Sequence, residues 1–141
     1  FGAAALVSSI LLRVLLLARL GPLAPPALVL AHALARLPPV FLMVALPYVT
    51  PDGVARGKPV ASARWPQAAF AAVTTVALGL AALRWSGLPP LGLAGAPVAC
   101  AAVATLAAFR FRARTGGLTG DFLGATEQLG EVATLLAFAC A

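Results

Sequence analysis

Asp121, Glu127 and Glu131 stand within eleven residues, in a chain whose only other carboxylate is Asp52. They follow Arg110, Arg112 and Arg114 and a glycine-rich stretch, so that residues 110–131 read RFRARTGGLTGDFLGATEQLGE. These residue types together suit the gripping of a phosphorylated ligand. Arginine forks match phosphate oxygens, and the N–H groups opening a helix bind anions. Mg²⁺ is held by one or two carboxylates together with phosphate oxygens. Asp121 is thus the metal candidate, and it equally suits a helix N-cap or first turn. Arg112, Arg114, Gly116, Gly117 and Thr119 are candidates for the phosphate side. Gly116, Gly120 and Gly124 are spaced by four, which on a helix would also make a smooth packing stripe.

On a helix, Asp121, Gly124, Gln128 and Glu131 fall within about 80° of arc. Asp121 and Glu131 would lie about 15 Å apart along the axis, too far to share one ion. Gln128 is a candidate substrate contact. Glu131 is either a buried ion-pair partner or a group that meets substrate. His32 and Arg36 are four apart and share a face. Counted from their hydrophilic loops, Arg36 and Glu131 both lie about 20 Å deep, if both segments are helical. A lone charge at that depth needs a partner, so Arg36 and Glu131 are expected to pair. Arg13, also mid-segment, must snorkel or pair. Cys100 and Cys140 sit in apolar runs and read as small hydrophobes. Asp52-Gly53 is a turn signal, Arg56 and Lys58 are solvated charges, and Tyr48 is an interface anchor.

The elements that must position these groups are membrane helices. Of 141 residues, 62% are hydrophobic and 10% charged, and the mean hydropathy is +1.00. Soluble domains carry about 25% charged residues. The composition predicts an all-α, polytopic membrane protein in a lipid bilayer, forming one membrane-embedded region over residues 1–141. Five segments are expected: Gly2–Leu20; Pro25–Tyr48, interrupted at Pro38-Pro39; Gln67–Trp85; Leu88–Phe109, kinked at Pro97; and Thr119 onward. The loops 50–66 and 110–117 each hold three basic residues, against Arg19 and Arg84 on the other side. That count puts both loops in the cytoplasm. The net charge of +6 fits anionic lipid and gives no reason to invoke nucleic acid.

The run Gly116–Glu131, GGLTGDFLGATEQLGE, resembles the C-terminal signature of the cobalamin synthase family, the adenosylcobinamide-GDP ribazoletransferases. The residues carrying the match are Gly116, Gly117, Thr119, Gly120, Asp121, Leu123, Gly124, Ala125, Gln128 and Glu131. The Arg36 segment, with Tyr48 and Gly53, resembles the family's middle region. The resemblance implies an inner-membrane enzyme, bacterial or archaeal, of late coenzyme B12 synthesis. It implies that adenosylcobinamide-GDP and α-ribazole, or its 5′-phosphate, are joined with loss of GMP, and that Mg²⁺ is required. Asp121, Glu131 and Arg36 would then be catalytic. The family's second, Asp-rich motif has no counterpart here, which leads to the expectation of a C-terminal fragment, inactive alone. A homo-oligomer is possible. Two other classes stay open. One is another nucleotide-diphosphate-dependent membrane transferase, such as a CDP-alcohol phosphotransferase, whose paired-Asp signature is absent. The other is a transporter or channel piece with Glu131, Arg36 and His32 lining a path.

Overall fold

The computed structural model describes residues 2–49 and 63–141, and these are all-helical apart from short connections. The helices are α1 (Gly2–Leu20), α2 (Ala24–Ala35), α3 (Leu37–Ala45), α4 (Trp65–Trp85), α5 (Pro90–Thr115) and α6 (Gly120–Ala139). Three continuous helical stretches among the described residues, Gly2–Ala45, Trp65–Trp85 and Pro90–Thr115, are long and apolar enough to cross a membrane. The turn signal Asp52-Gly53 and the charges Arg56 and Lys58 lie outside the described residues.

The stretch Gly2–Ala45 is folded back on itself. Arg13 and Arg19 of α1 bond Gln128 and Ala139 of α6, so those helices run parallel. His32 and Arg36 approach Glu131 and Glu127, so α2 runs antiparallel to α6. The chain therefore reverses between α1 and α2. It does so at the 3₁₀ turn Gly21–Leu23, where Gly21 takes φ +52°, a conformation open to glycine. The break between α2 and α3 falls at Arg36, two residues before Pro38. Those prolines open α3, where an N–H is not needed. α5 runs unbroken through Pro97.

α6 is the centre of the bundle and packs on α1, α2, α3 and α5. Small residues let it approach its neighbours, since packing in lipid rests on close backbone contact. Ala27, Ala31 and Ala35 line α2 at spacings of four, each at most 1% exposed. Thr126, Gly130 and Thr134 do the same on α6. A Cβ at Gly130 would sit 3.4 Å from Cys100 Sγ and 3.5 Å from Ala35 Cα. Both threonine hydroxyls donate to carbonyls four residues earlier, so no polar group is left open by this packing. An apolar cluster including Leu16, Leu20, Leu30, Leu135 and Phe138 fills the end near the Gly21 turn. There Arg19 Nε donates to the Ala139 carbonyl at 2.8 Å and satisfies the negative end of α6.

The candidate functional site

The α5–α6 junction is built by three different local devices. Gly116, at φ +74°, is the left-handed residue that ends α5, the usual glycine C-cap. Gly117 packs under the chain after α3. A Cβ there would collide with the Pro47 carbonyl oxygen and lie 2.6 Å from Val49 Cγ2. Leu118, fully buried, pairs with that chain through Leu118 N–H to Pro47 O and Val49 N–H to Leu118 O, both 2.8 Å. Thr119 is the N-cap of α6, its hydroxyl accepting from Phe122 N–H at 3.4 Å. The N-cap is therefore Thr119, and Asp121 is a first-turn carboxylate. Asp121 is exposed and makes no ion pair or side-chain hydrogen bond with a described residue. Replacing Gly117 by Ala should lower stability by about 1–3 kcal/mol, the usual cost of overpacking. Thermal unfolding of the purified protein in detergent would read it. An unchanged midpoint would show that the 47–49 segment moves freely.

The three arginines do not form the expected loop. α5 continues to Thr115, so Arg110, Arg112 and Arg114 are helical. Arginine is a good helix former, and its charge reads as loop only when position along the membrane is ignored. At 100° per residue, Arg110 and Arg114 share a face while Arg112 points about 160° away from Arg114. Accordingly Arg112 borders Phe41, Leu42 and Leu46 of the α3 end, and Arg110 and Arg114 border Phe122 and Ala125 of α6.

Deeper in the bundle lies a second polar group. Glu131 is 6% exposed, and Arg13 Nε stands 3.1 Å from its Oε1. The same guanidinium donates to Ser9 Oγ at 2.6 Å and to Gln128 Oε1 at 2.8 Å. His32 Nδ1 lies 3.7 Å from Glu131 Oε2. The expected pairing of Arg36 with Glu131 is thus corrected. Arg36 meets Glu127 instead, at 3.7 Å, with its side chain 74% exposed. Glu127 lies about one turn from Glu131, and counting residues from the loops does not fix which side of α6 a residue sees. Arg13, on the parallel helix, takes the buried face, and Arg36 takes Glu127. Ser9 and the full reach of Arg13 are what sequence reasoning misses. Their spacing of four in an apolar helix is the available signal.

From the α6 start inward there is therefore a graded series: Asp121 exposed at the surface, Arg36 with Glu127 loosely paired, then Glu131 locked by Arg13. Among the described residues no three His, Cys, Asp or Glu side chains gather closely enough to hold a metal by themselves. A lone exposed carboxylate fits one ligand of a Mg²⁺ that takes its remaining ligands from phosphate and water.

Residues 1–139 match the model of the family described as cobalamin-5-phosphate synthase. The chain belongs to the cobalamin-5-phosphate synthase family. Among curated relatives, an adenosylcobinamide-GDP ribazoletransferase of Leptothrix cholodnii is 44% identical over 78% of this chain and 42% of its own. One from Rhizobium etli is 40% identical over 100% of this chain and 55% of its own. One from Shewanella woodyi is 32% identical over 96% and 52%. The chain spans about half the length of these relatives. No solved structure matches it. Within this cobalamin-5-phosphate synthase family member, the signature run Gly116–Glu131 covers the α5–α6 junction and the polar face of α6 described above.

Proposed function

We propose that the protein carrying this chain transfers the corrinoid phosphoryl group of adenosylcobinamide-GDP to a hydroxyl of α-ribazole or its 5′-phosphate. GMP is released and adenosylcobalamin or its phosphate is formed. The observation that carries this reading is the 44% identity to a ribazoletransferase over 115 residues. In the reaction the ribazole hydroxyl oxygen attacks the phosphorus on the corrinoid side. The bond from that phosphorus to the GMP oxygen breaks, and the hydroxyl proton is lost. The residues needed are those that position a diphosphate and offset its charge.

Asp121 would hold Mg²⁺ beside the diphosphate, and when bound the ion would neutralise its oxygens. The free N–H groups opening α6 and the exposed Arg36 are suited to the same anion. Arg112, Gly116, Gly117, Thr119 and Gln128 border this region in the reading, with Arg114 offering its charge from the next face. Glu131, held by Arg13, fixes the inner end. The chain would form the C-terminal part of the enzyme, in the cytoplasmic membrane, and would not turn over alone. The test is formation of adenosylcobalamin by the full-length protein from adenosylcobinamide-GDP, α-ribazole and Mg²⁺. Release of GMP without the nucleotide loop forming would overturn the reading.

We also propose five crossings, α1, α2–α3, α4, α5 and α6. The reversal at Gly21 supports this, as does the segregation of charge. Arg110, Arg112 and Arg114 lie at the Tyr48–Leu118 end, while Arg19 lies at the other. Single cysteines at Lys58 and Arg114 should resist membrane-impermeant maleimide in intact cells, and one at Gly87 should react. The opposite pattern would invert the topology.

A further inference from the structure

A large apolar cavity among the described residues lies away from Glu127 and Glu131 of α6. It is a groove of about 520 Å³ between α5 and α6. Its walls are apolar, from Val103 and Leu106 on α5 to Leu129 and Leu136 on α6. Leu106, Leu129 and Leu136 are 46–66% exposed. Thr126, the one hydroxyl in the lining, already donates to the Phe122 carbonyl. At one end stand Arg110 and Arg114, one helical turn apart, both exposed and neither ion-paired with a described residue. No acidic residue lines the groove. From Arg114 to Val103 the wall is eleven residues long, about 16 Å, close to half the ~30 Å hydrocarbon core. The groove is thus about as long as one leaflet is thick, and both cations stand at one end of it.

We propose that this groove is a binding site for an anionic phospholipid. One acyl chain lies along Leu106 and Leu129, and the phosphodiester is held by Arg110 and Arg114. The apolar depth excludes a nucleotide or a free phosphate as the full occupant, since neither would cover the leucines. The twin arginines at the mouth favour an anionic over a zwitterionic headgroup, because basic pockets between helices at the membrane face attract such lipids. The groove opens away from Glu127 and Glu131 on α6. It shares Arg114 with the diphosphate reading, and the test reads lipid retention rather than turnover, so failure of one reading is distinguishable from failure of the other.

The experiment is native mass spectrometry of the full-length protein released from nanodiscs of phosphatidylglycerol or of phosphatidylcholine. The wild type should retain phosphatidylglycerol preferentially. The variant Arg110→Gln with Arg114→Gln, altered only at exposed positions, should weaken that retention about thirtyfold, given about fivefold for each headgroup-level cation. Leu129→Trp keeps both arginines but fills the groove, and it should abolish retention as well. Equal retention of the two lipids would overturn the proposal. So would retention unaltered in both variants, the result expected if another part of the protein covers the groove. Displacement of the lipid by excess inorganic phosphate would also overturn it, leaving only a surface anion site.

Discussion

Asp121→Asn should lower turnover by about 10²-fold or more while the protein stays folded in the membrane. Loss of one charge-stabilising group at a reacting centre commonly costs about 10²–10³ in rate. The substitution is informative because the capping role belongs to Thr119, whose hydroxyl receives Phe122 N–H. The helix would lose only a first-turn charge, a few tenths of a kcal/mol up to about 1. The measurement is adenosylcobalamin formation across a Mg²⁺ titration, with thermal unfolding as the control for folding. A displaced Mg²⁺ requirement alongside slower turnover is the expected signature of a metal ligand. Normal turnover with unchanged Mg²⁺ dependence would remove Asp121 from the metal.

The second large effect is expected in the bundle core. Arg13→Leu should destabilise the protein by about 3–5 kcal/mol, because it leaves Glu131 buried without its close 3.1 Å partner, with only His32 at 3.7 Å beside it. Glu131→Leu should cost less, since the Arg13 guanidinium keeps Ser9 and the two Gln128 oxygens. The double variant should be more stable than Arg13→Leu alone, since it removes that buried charge. Unfolding midpoints for all four proteins in one detergent would decide. Strictly additive losses would mean that the 3.1 Å contact contributes nothing specific. Arg36→Leu should have a smaller effect on folding, as its contact to Glu127 is longer, at 3.7 Å, and leaves the Arg36 side chain 74% exposed.

The comparison of sequence with structure separates what apolar length reveals from what it hides. The apolar runs announce most of the helices to within a few residues, because a span must satisfy its backbone internally. The start of α6 is legible only in part, since Asp121 suits a cap or a first turn by its chemistry and it is Thr119 that caps the helix. The partner of Glu131 is not legible, since residue counts give height in the membrane but not the order of helices around α6. The length of α5 is also hidden, because Arg110–Thr115 looks like a loop until the C-cap at Gly116 is seen. The small-residue contact that matters is Thr126, Gly130 and Thr134. Its threonines disguise a stripe that the more obvious glycines at 116, 120 and 124 only imitate. Gly117 is demanded by Pro47 and Val49, far earlier in the chain, which no local pattern records.

Because α6 is the hub of the described helices, biogenesis has a waiting period. Arg13 enters the bilayer with α1, yet its counter-charge is 118 positions further along the chain. At about 5–20 residues per second of synthesis, roughly 6–24 s elapse before α6 exists to receive it. During that interval a hairpin carrying Arg13, His32 and Arg36 must be harboured by the insertion machinery or by lipid headgroups. A ribosome stalled before Glu131 would leave an orphaned assembly. Membrane quality control would recognise it by Arg13, the charge that the finished bundle conceals.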